Sequence, residues 1–599
     1  MKKYIAMSMV AAFVVSNVSA ADLKNVPMAK TYPMDTVAST VAKVATPVVK
    51  SVAKAPMKVA VATQAVNYDA KIEKLEKSIK KLNKKLNAVK AHDAKDNIKW
   101  SVDFRTSLDS IEYKTAKGLT HKNDSLFSNR LWLNMAYAPS DNMIFKGQLS
   151  YNKAYGASPK GAFGLDQRGN SHSFDTFDWV TNETLTNDSI KLKEAYWLYM
   201  SDSLFGSGID WTASFGRRPS TNGFLVSLRD NDKPASPMGH MINMEFDGAS
   251  FKFGLEKVTG VSGMYWKLCL GRGLTNARAR FNMDTGLASS GDYSEDKSTM
   301  ENVDLAGFIF VPYDNGQYKI MSTYYRGFNV PGFVMADANM FTNPEGNSGM
   351  VTSDMNLNQN VSLRNLGDMD GAALSLKVDG IGDGISDFLD NTVFFASFGW
   401  SKSMPDNEIA SMSTALSQGV AAAGGVDNMM AGMNQQVGAG VAQAMAGGMS
   451  QEDAVALVMS GMEASMAGIE GMLGSNDDET GTSYWLGLQW PCLLVDDAKF
   501  GAEFNHGSKY WRPFTYGEDT LVGSKLAVRG DAYEFYWSKK LMKSFTMQIR
   551  YTKIDYEYTG SQGFFGGSGT PMTMDEAKAF GMDPIEEAQD IRLSFRYRF

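Results

Sequence analysis

The sequence predicts an all-β transmembrane barrel, antiparallel, of about 16 strands, preceded by an N-terminal α-helical coiled coil. Three observations lead there. The last nine residues put Ile591, Leu593, Phe595, Tyr597 and Phe599 on one face of an extended strand and Arg592, Ser594, Arg596 and Arg598 on the other. That two-faced pattern recurs from Ile98 onward, and the connections between repeats sort into short and long ones in strict alternation. Beyond the N-terminus, no apolar run reaches the roughly 18 residues a membrane helix needs, so a membrane-spanning chain of this kind must close a barrel.

The N-terminus sets the compartment. Lys2 and Lys3 precede an apolar run and the small-residue site Val18-Ser19-Ala20, so residues 1–20 read as a secretory signal peptide. Residues 21–68, rich in Ala, Val, Lys, Thr and Pro, read as a flexible periplasmic tether. Across 69–97, Ile72, Leu75, Ile79, Leu82, Leu86 and Val89 follow a 3-4-3-4-3 spacing amid Lys, Glu and Asn, which predicts a coiled coil. A single amphipathic helix lying on the barrel is the blander reading. Residues 21–97 carry 15 Lys against 7 acids, while the whole chain stands at −7, so a basic stalk precedes an acidic body. The only cysteines, Cys269 and Cys492, are expected at opposite ends of the wall and unbonded.

The barrel itself is assigned to 98–599. Ile98, Trp100, Val102 and Phe104 alternate with Lys99, Ser101, Asp103 and Arg105, and Pro139-Ser140-Asp141-Asn142 makes a tight turn before the third strand. Long connections are expected near 109–125, 154–188, 219–240, 272–302, 328–368, 402–481, 508–524 and 558–589. Short ones are expected near 139–142, 201–209, 253–262, 312–316, 380–390, 491–498 and 538–543. Eight long and seven short connections join sixteen strands, with both ends of the barrel on the short-turn side. One long connection contains an Ala/Gly/Met-rich insertion, 406–473, where Ser450-Gln451-Glu452-Asp453 resembles a helix N-cap. It reads as a partly helical or disordered outer loop, with a pore cover as the functional alternative.

Catalytic signatures are missing. The five His residues form no HExxH or Cys/His pair, and no G-x-S-x-G elbow occurs. Gly380, Gly382 and Gly384 fall in a short turn rather than before a helix, and Asp368 and Asp370 read as solvated loop acids. No enzyme activity, cofactor, metal or nucleic-acid partner is expected.

The chemistry that is present is charge on inward-facing strand positions. Arg105, Arg130, Lys146, Lys267, Lys319, Arg550, Arg592 and Arg596 are basic there; Asp103, Glu194, Glu503 and Glu534 are acidic. On a lipid-facing position such groups would cost several kcal/mol, so they predict a water-filled lumen, which sixteen strands are wide enough to leave. The third long connection, with Arg229, Asp230, Asp232 and Lys233, is expected to narrow the lumen, with Arg217 and Arg218 at its base. The expected function is passive diffusion of small hydrophilic solutes and ions across the bacterial outer membrane, with a mild anion preference. The alternative is an outer-membrane anchor to peptidoglycan with a plugged barrel.

Four stretches, FGRRPSTNG (215–223), INMEFDGASF (242–251), EFNHGSKYW (503–511) and YEYTGSQGF (556–564), resemble an uncharacterised porin-like outer-membrane family of epsilon-class proteobacteria. The resemblance covers most of the chain from about residue 69 and implies a porin-like barrel after a periplasmic coiled coil. The terminal aromatic Phe599 resembles the assembly signal read by the barrel-assembly machinery. Expected partners are outer-membrane lipid, two further copies in a homotrimer, and peptidoglycan through the basic coiled coil.

Overall fold

The computed structural model describes residues 98–156, 185, 190–219, 221–277, 291–295, 301–335, 361–406, 426–455, 457, 472–475, 477–515, 520–561, 570–579 and 582–599. The expected signal peptide, tether and coiled coil lie outside the described residues.

Sixteen strands close into one antiparallel barrel. In chain order they are β1 (Lys99–Thr115), β2 (Thr120–Ser140), β3 (Met143–Ala154), β4 (Lys191–Ser201), β5 (Trp211–Arg218), β7 (Phe246–Gly254), β8 (Tyr265–Leu274), β9 (Val303–Asp314), β10 (Tyr318–Met335), β11 (Val361–Asp379), β12 (Val393–Pro405), β13 (Glu479–Pro491), β14 (Ala498–Gly507), β16 (Gly530–Met542), β17 (Phe545–Tyr556) and β18 (Ile585–Arg598). Two short strands, β6 (Ile242–Asn243) and β15 (Phe514–Thr515), stand apart from the wall and pair with each other in parallel. Each wall strand pairs with its neighbours along the chain, and β1 meets β18 with Asp103 opposite Arg598, which removes both edges. Phe599 finishes this seam: its N–H and C=O both bond to Val102, at 3.1 and 3.0 Å.

The two-residue period divides the wall into faces. On β13, Ser483, Trp485, Gly487 and Gln489 are buried while Tyr484, Leu486 and Leu488 stay exposed. The exposed set is the apolar one, the inverse of a soluble sheet. Outward aromatics stack across neighbouring strands near the short turns, as in Phe253–Trp266, Trp490–Phe500 and Phe545–Phe595, each pair 5.9 Å apart. A second group, Tyr484, Phe504 and Tyr533, sits nearer the other end. Two such belts match the two interfaces of a bilayer. No helix among the described residues is long and apolar enough to cross a membrane.

The seven short turns fall where expected. The first long connection does not: β1 and β2, of 17 and 21 residues, continue their ladder to Lys114 opposite Thr120, leaving only residues 116–119 as a turn. Polar residues such as Lys122 and Asn123 read as loop because strand continuing past the apolar band has no reason to alternate. Asp368 and Asp370 are likewise strand residues of β11, paired with Arg326 at 3.1 and 3.9 Å, rather than solvated loop acids. The insertion is partly helical, with a helix over Val426–Ala446 and Ser450 Oγ accepting from the Asp453 N–H. Cys269 and Cys492 are both free.

The lumen is where the largest departure lies. Residues 221–245 and, in the second segment, 508–515 and 520–529 turn inward, and the two segments meet through the β6–β15 ladder. Met238, Met241, Ile242 and Met244 from the first join Trp511, Phe514 and Leu526 from the second and Tyr325, Phe395 and Trp485 from the wall in one buried cluster. Trp511 is seated by small wall residues. A Cβ on Gly399 would lie 2.5 Å from its ring, and one on Gly481 only 2.3 Å from its backbone nitrogen. The open aqueous lumen expected from strand number is therefore filled across its middle by folded chain.

Candidate functional site: the barrel interior

The filling segments touch the wall in two different ways. Toward β7–β13 the contact is mostly apolar. Toward β13, β14, β16–β18 and β1 it is ionic and hydrogen-bonded. The one-turn helix Val226–Arg229 and the residues after it are held by their backbone: Gln489 donates to the Leu228 carbonyl, Gln548 to that of Arg229, Arg596 to that of Asp230 and Arg598 to that of Asn231, at 3.0–3.4 Å. Arg229 reaches Glu534 at 3.2 Å, and Asp232 meets Arg596 at 2.9 Å and Arg598 at 2.6 Å. The second segment is pinned at the same carboxylate, because Lys525 lies 2.7 Å from both Glu503 and Glu534. Arg550 stands 3.7 Å from Glu534 on its far side, and the Trp485 indole donates to Glu503 at 3.1 Å.

Most expected inward charges are on this buried flank. Asp103, Arg105, Arg130, Glu503, Glu534, Arg550, Arg592 and Arg596 are all buried. Arg105 lies opposite Arg130 on one side and Arg596 on the other, a row of three guanidinium groups across β2, β1 and β18. Asp103 answers that row: Arg596 Nε donates to it at 2.8 Å and Arg130 lies 4.0 Å away. Arg592 pairs with Asp109 at 2.5 Å and Asp590 at 4.0 Å. The basic lean expected of the lumen is thus offset by Asp232, carried in by the third long connection, and by Asp109 and Asp590, which the sequence reading had not placed there.

The remaining residues divide. Lys146 is exposed and Glu194 half-buried, on β3 and β4. A register shift lets Lys193 also enter the interior, where it pairs with Glu245 at 2.6 Å, and neither residue had been expected there. Arg217 corrects an expectation. Consecutive strand residues face opposite ways, and Arg217 falls on the strand face of Phe215 rather than that of Arg218. It is buried there, its Nε donating to the Lys193 carbonyl at 3.2 Å and its guanidinium lying 3.6 Å from Asp247. Arg218 alone turns inward, over the Tyr196 ring. Lys319 faces inward near Phe224, 3.0 Å from Asp314, and Lys267 is buried.

His240 is a further residue the sequence did not single out. It is fully buried, with Nδ1 2.7 Å from Ser397 Oγ and Nε2 3.0 Å from Ser483 Oγ, between the rings of Trp485 and Trp511. Burial without a charged partner pushes its imidazole from 6.5 down to about 3.

A closed antiparallel barrel of sixteen strands, apolar outside and charged within, defines the class of protein. The chain belongs to the family described as Protein of unknown function (DUF3373), whose model matches residues 120–599. No curated protein matches it. Among solved structures it is similar to OprB of Pseudomonas putida at high pH, with 11% identity over 84% of this chain and 94% of that one and a TM-score of 0.37. It is similar also to Salmonella typhi OmpF in complex with daunomycin, with 8% identity, 85% and 99% coverage and a TM-score of 0.37. A third is the trimer form of in-vitro folded OmpT, an outer membrane protein of Vibrio cholerae, with 9% identity, 84% and 99% coverage and a TM-score of 0.35.

Proposed function

We propose that this protein is an outer-membrane channel for small hydrophilic solutes and ions, held closed in the conformation described by segments 219–245 and 508–529. The observation that carries the reading is the asymmetry of the filling. A permanent plug is best served by apolar packing, since buried ion pairs are no more stabilising than hydrophobic residues of similar volume. Here one flank is apolar and the other is built from Arg229, Asp232 and Lys525 against Glu503, Glu534, Arg596 and Arg598. Water can replace those contacts when the segments shift. The passage so formed runs along β1, β2, β14 and β16–β18, lined by Asp103, Arg105, Arg130, Glu503, Glu534, Arg550, Arg592 and Arg596. Lys146 and Glu194 line the neighbouring strands β3 and β4, and Arg218 and Lys267 lie farther round the wall on β5 and β8.

Planar-bilayer recording tests this. Wild type should give brief, infrequent current steps. Glu534→Gln, which leaves three cations short of their shared carboxylate, should raise the open fraction several-fold. If the folded variant passes no ions, the channel reading fails and the second one stands, a plugged barrel serving as an anchor to peptidoglycan. The packed lumen favours that second reading.

The same proposal places the N-terminal segment in the periplasm, with 1–20 as a signal peptide and the basic seam of Ile72, Leu75, Ile79, Leu82, Leu86 and Val89 as a stalk able to touch peptidoglycan. Phe599 serves as the assembly signal, and three barrels associate. Crosslinking of purified protein with and without residues 21–97 would sink the trimer if only dimers appear.

A further inference from the structure

On the wall opposite the ionic flank, a cavity of about 70 Å³ is bounded by Arg218, Ser250, Lys267, Cys269, Thr323 and Tyr325. We propose that it is a binding site for one inorganic oxyanion of the phosphate or sulfate type. Lys267 and Cys269 of β8 face inward from rungs opposite Lys252 and Ser250 of β7. Lys267 is only 7% exposed. Among the described residues no hydrogen bond or ion pair reaches its ammonium, and the titratable side chains that bear on it are the Cys269 thiol, which favours its charge, and the cationic Arg218 and Lys252, which oppose it.

A buried ammonium without a counter-charge is expensive, and further cations beside it raise that cost. Several buried cations of this lumen meet carboxylates: Lys193 has Glu245, Lys525 has Glu503 and Glu534, and Arg592 has Asp109; Arg529 instead donates to the Trp511 and Thr559 carbonyls. Lys267 has none, but it has the cavity. An ammonium as a mobile point charge, a guanidinium as a planar fork, and the Ser250 hydroxyl, which can turn from its Ser214 partner, are the donor types that bind tetrahedral oxyanions, whereas the Thr323 hydroxyl already donates to the Phe308 carbonyl. A divalent cation is disfavoured by Arg218 and Lys267, the charged side chains of the lining.

The site is read by binding and not by conductance, so its fate is separate from that of the channel reading. Isothermal titration of inorganic phosphate, and separately of sulfate, into the folded full-length chain in detergent should give one site per barrel. Lys267→Gln should weaken it about tenfold or more, as loss of a charge-assisted bond does, while Lys267→Arg should retain it. In a Cys492→Ser background the lone thiol of Cys269 is a second reporter. Phosphate should slow its modification by methyl methanethiosulfonate, and Lys267→Gln should abolish that protection. Absence of both heat and protection in wild type at millimolar anion would overturn the proposal. So would a folded Lys267→Gln barrel that binds as wild type does, since the anion would then sit away from Lys267.

Discussion

At the scale of single residues, His240 is the most informative side chain of the filling. Seated, it is neutral and satisfies two wall hydroxyls; released with its segment, it would regain an ordinary imidazole. The folded value of about 3 lies below the ordinary 6.5, so the seated state is fully stabilised above pH 6.5 and loses stability as pH falls from there toward 3. At pH 5 the loss is about 2 kcal/mol. Bilayer open probability in wild type should therefore rise between pH 6.5 and 4, and His240→Gln should flatten that rise. An unchanged slope in the variant would show that other groups drive it. None of this was legible in the sequence. Ser397 and Ser483 lie 157 and 243 residues from His240, and no spacing rule links a loop histidine to serines on two distant strands. Arg217 shows the opposite case: the alternation visible in the sequence already forbade it from facing inward beside Arg218.

At the scale of elements, the strands were legible and the inward segments only half so. Outward apolar positions such as Tyr484, Leu486 and Leu488 announce themselves because lipid demands them. The third long connection carried the charges that anchor it, and its inward course was expected. The connection expected near 508–524 reads in the sequence as one long loop among eight, and the segment that turns inward extends to 529. Its signal was present in Trp511, Phe514, Val522, Leu526 and Val528, an apolar density a solvated loop has no use for. The glycines Gly399 and Gly481 that seat Trp511 are its complement on the wall. Gly481→Ala would set a methyl carbon 2.3 Å from the Trp511 backbone nitrogen, a clash with main chain that no rotamer change relieves. Overpacking of this kind costs about 1–3 kcal/mol. The expected result is a barrel that still folds, with segment 508–529 newly cleaved by added protease and the open fraction raised. Unaltered protease resistance would count against a seated Trp511.

At the scale of the molecule, strand number and closure were legible because both follow from counting alternations between turns. The filled lumen was not: strand number fixes how wide a barrel is, and only tertiary contact decides what enters it. Both inward segments bind the wall strands β13, β14 and β16–β18, so this half of the barrel is stapled from within. Glu534→Ala, which removes the carboxylate shared by Arg229, Lys525 and Arg550, should destabilise the fold by about 3–5 kcal/mol, the usual effect of orphaning buried charge. The heat-resistant band on SDS gels should melt at lower temperature in that variant. An unshifted melting point would mean the cluster carries little of the fold.

The β1–β18 seam has a consequence for how such a chain is made. Its partners are at opposite ends of the barrel sequence, Asp103 meeting Arg596 across 493 residues, so the wall stays an open, curling sheet until the final 14-residue strand has been delivered. During that interval β1 offers a bare row of amide and carbonyl groups to any strand that passes. A chain ending before Ile585 would keep that bare row permanently, and its natural remedy is the matching edge of another truncated copy. Such fragments should accumulate as edge-joined multimers instead of monomeric half-finished barrels, so the newest part of the chain is also what stops molecules from knitting together.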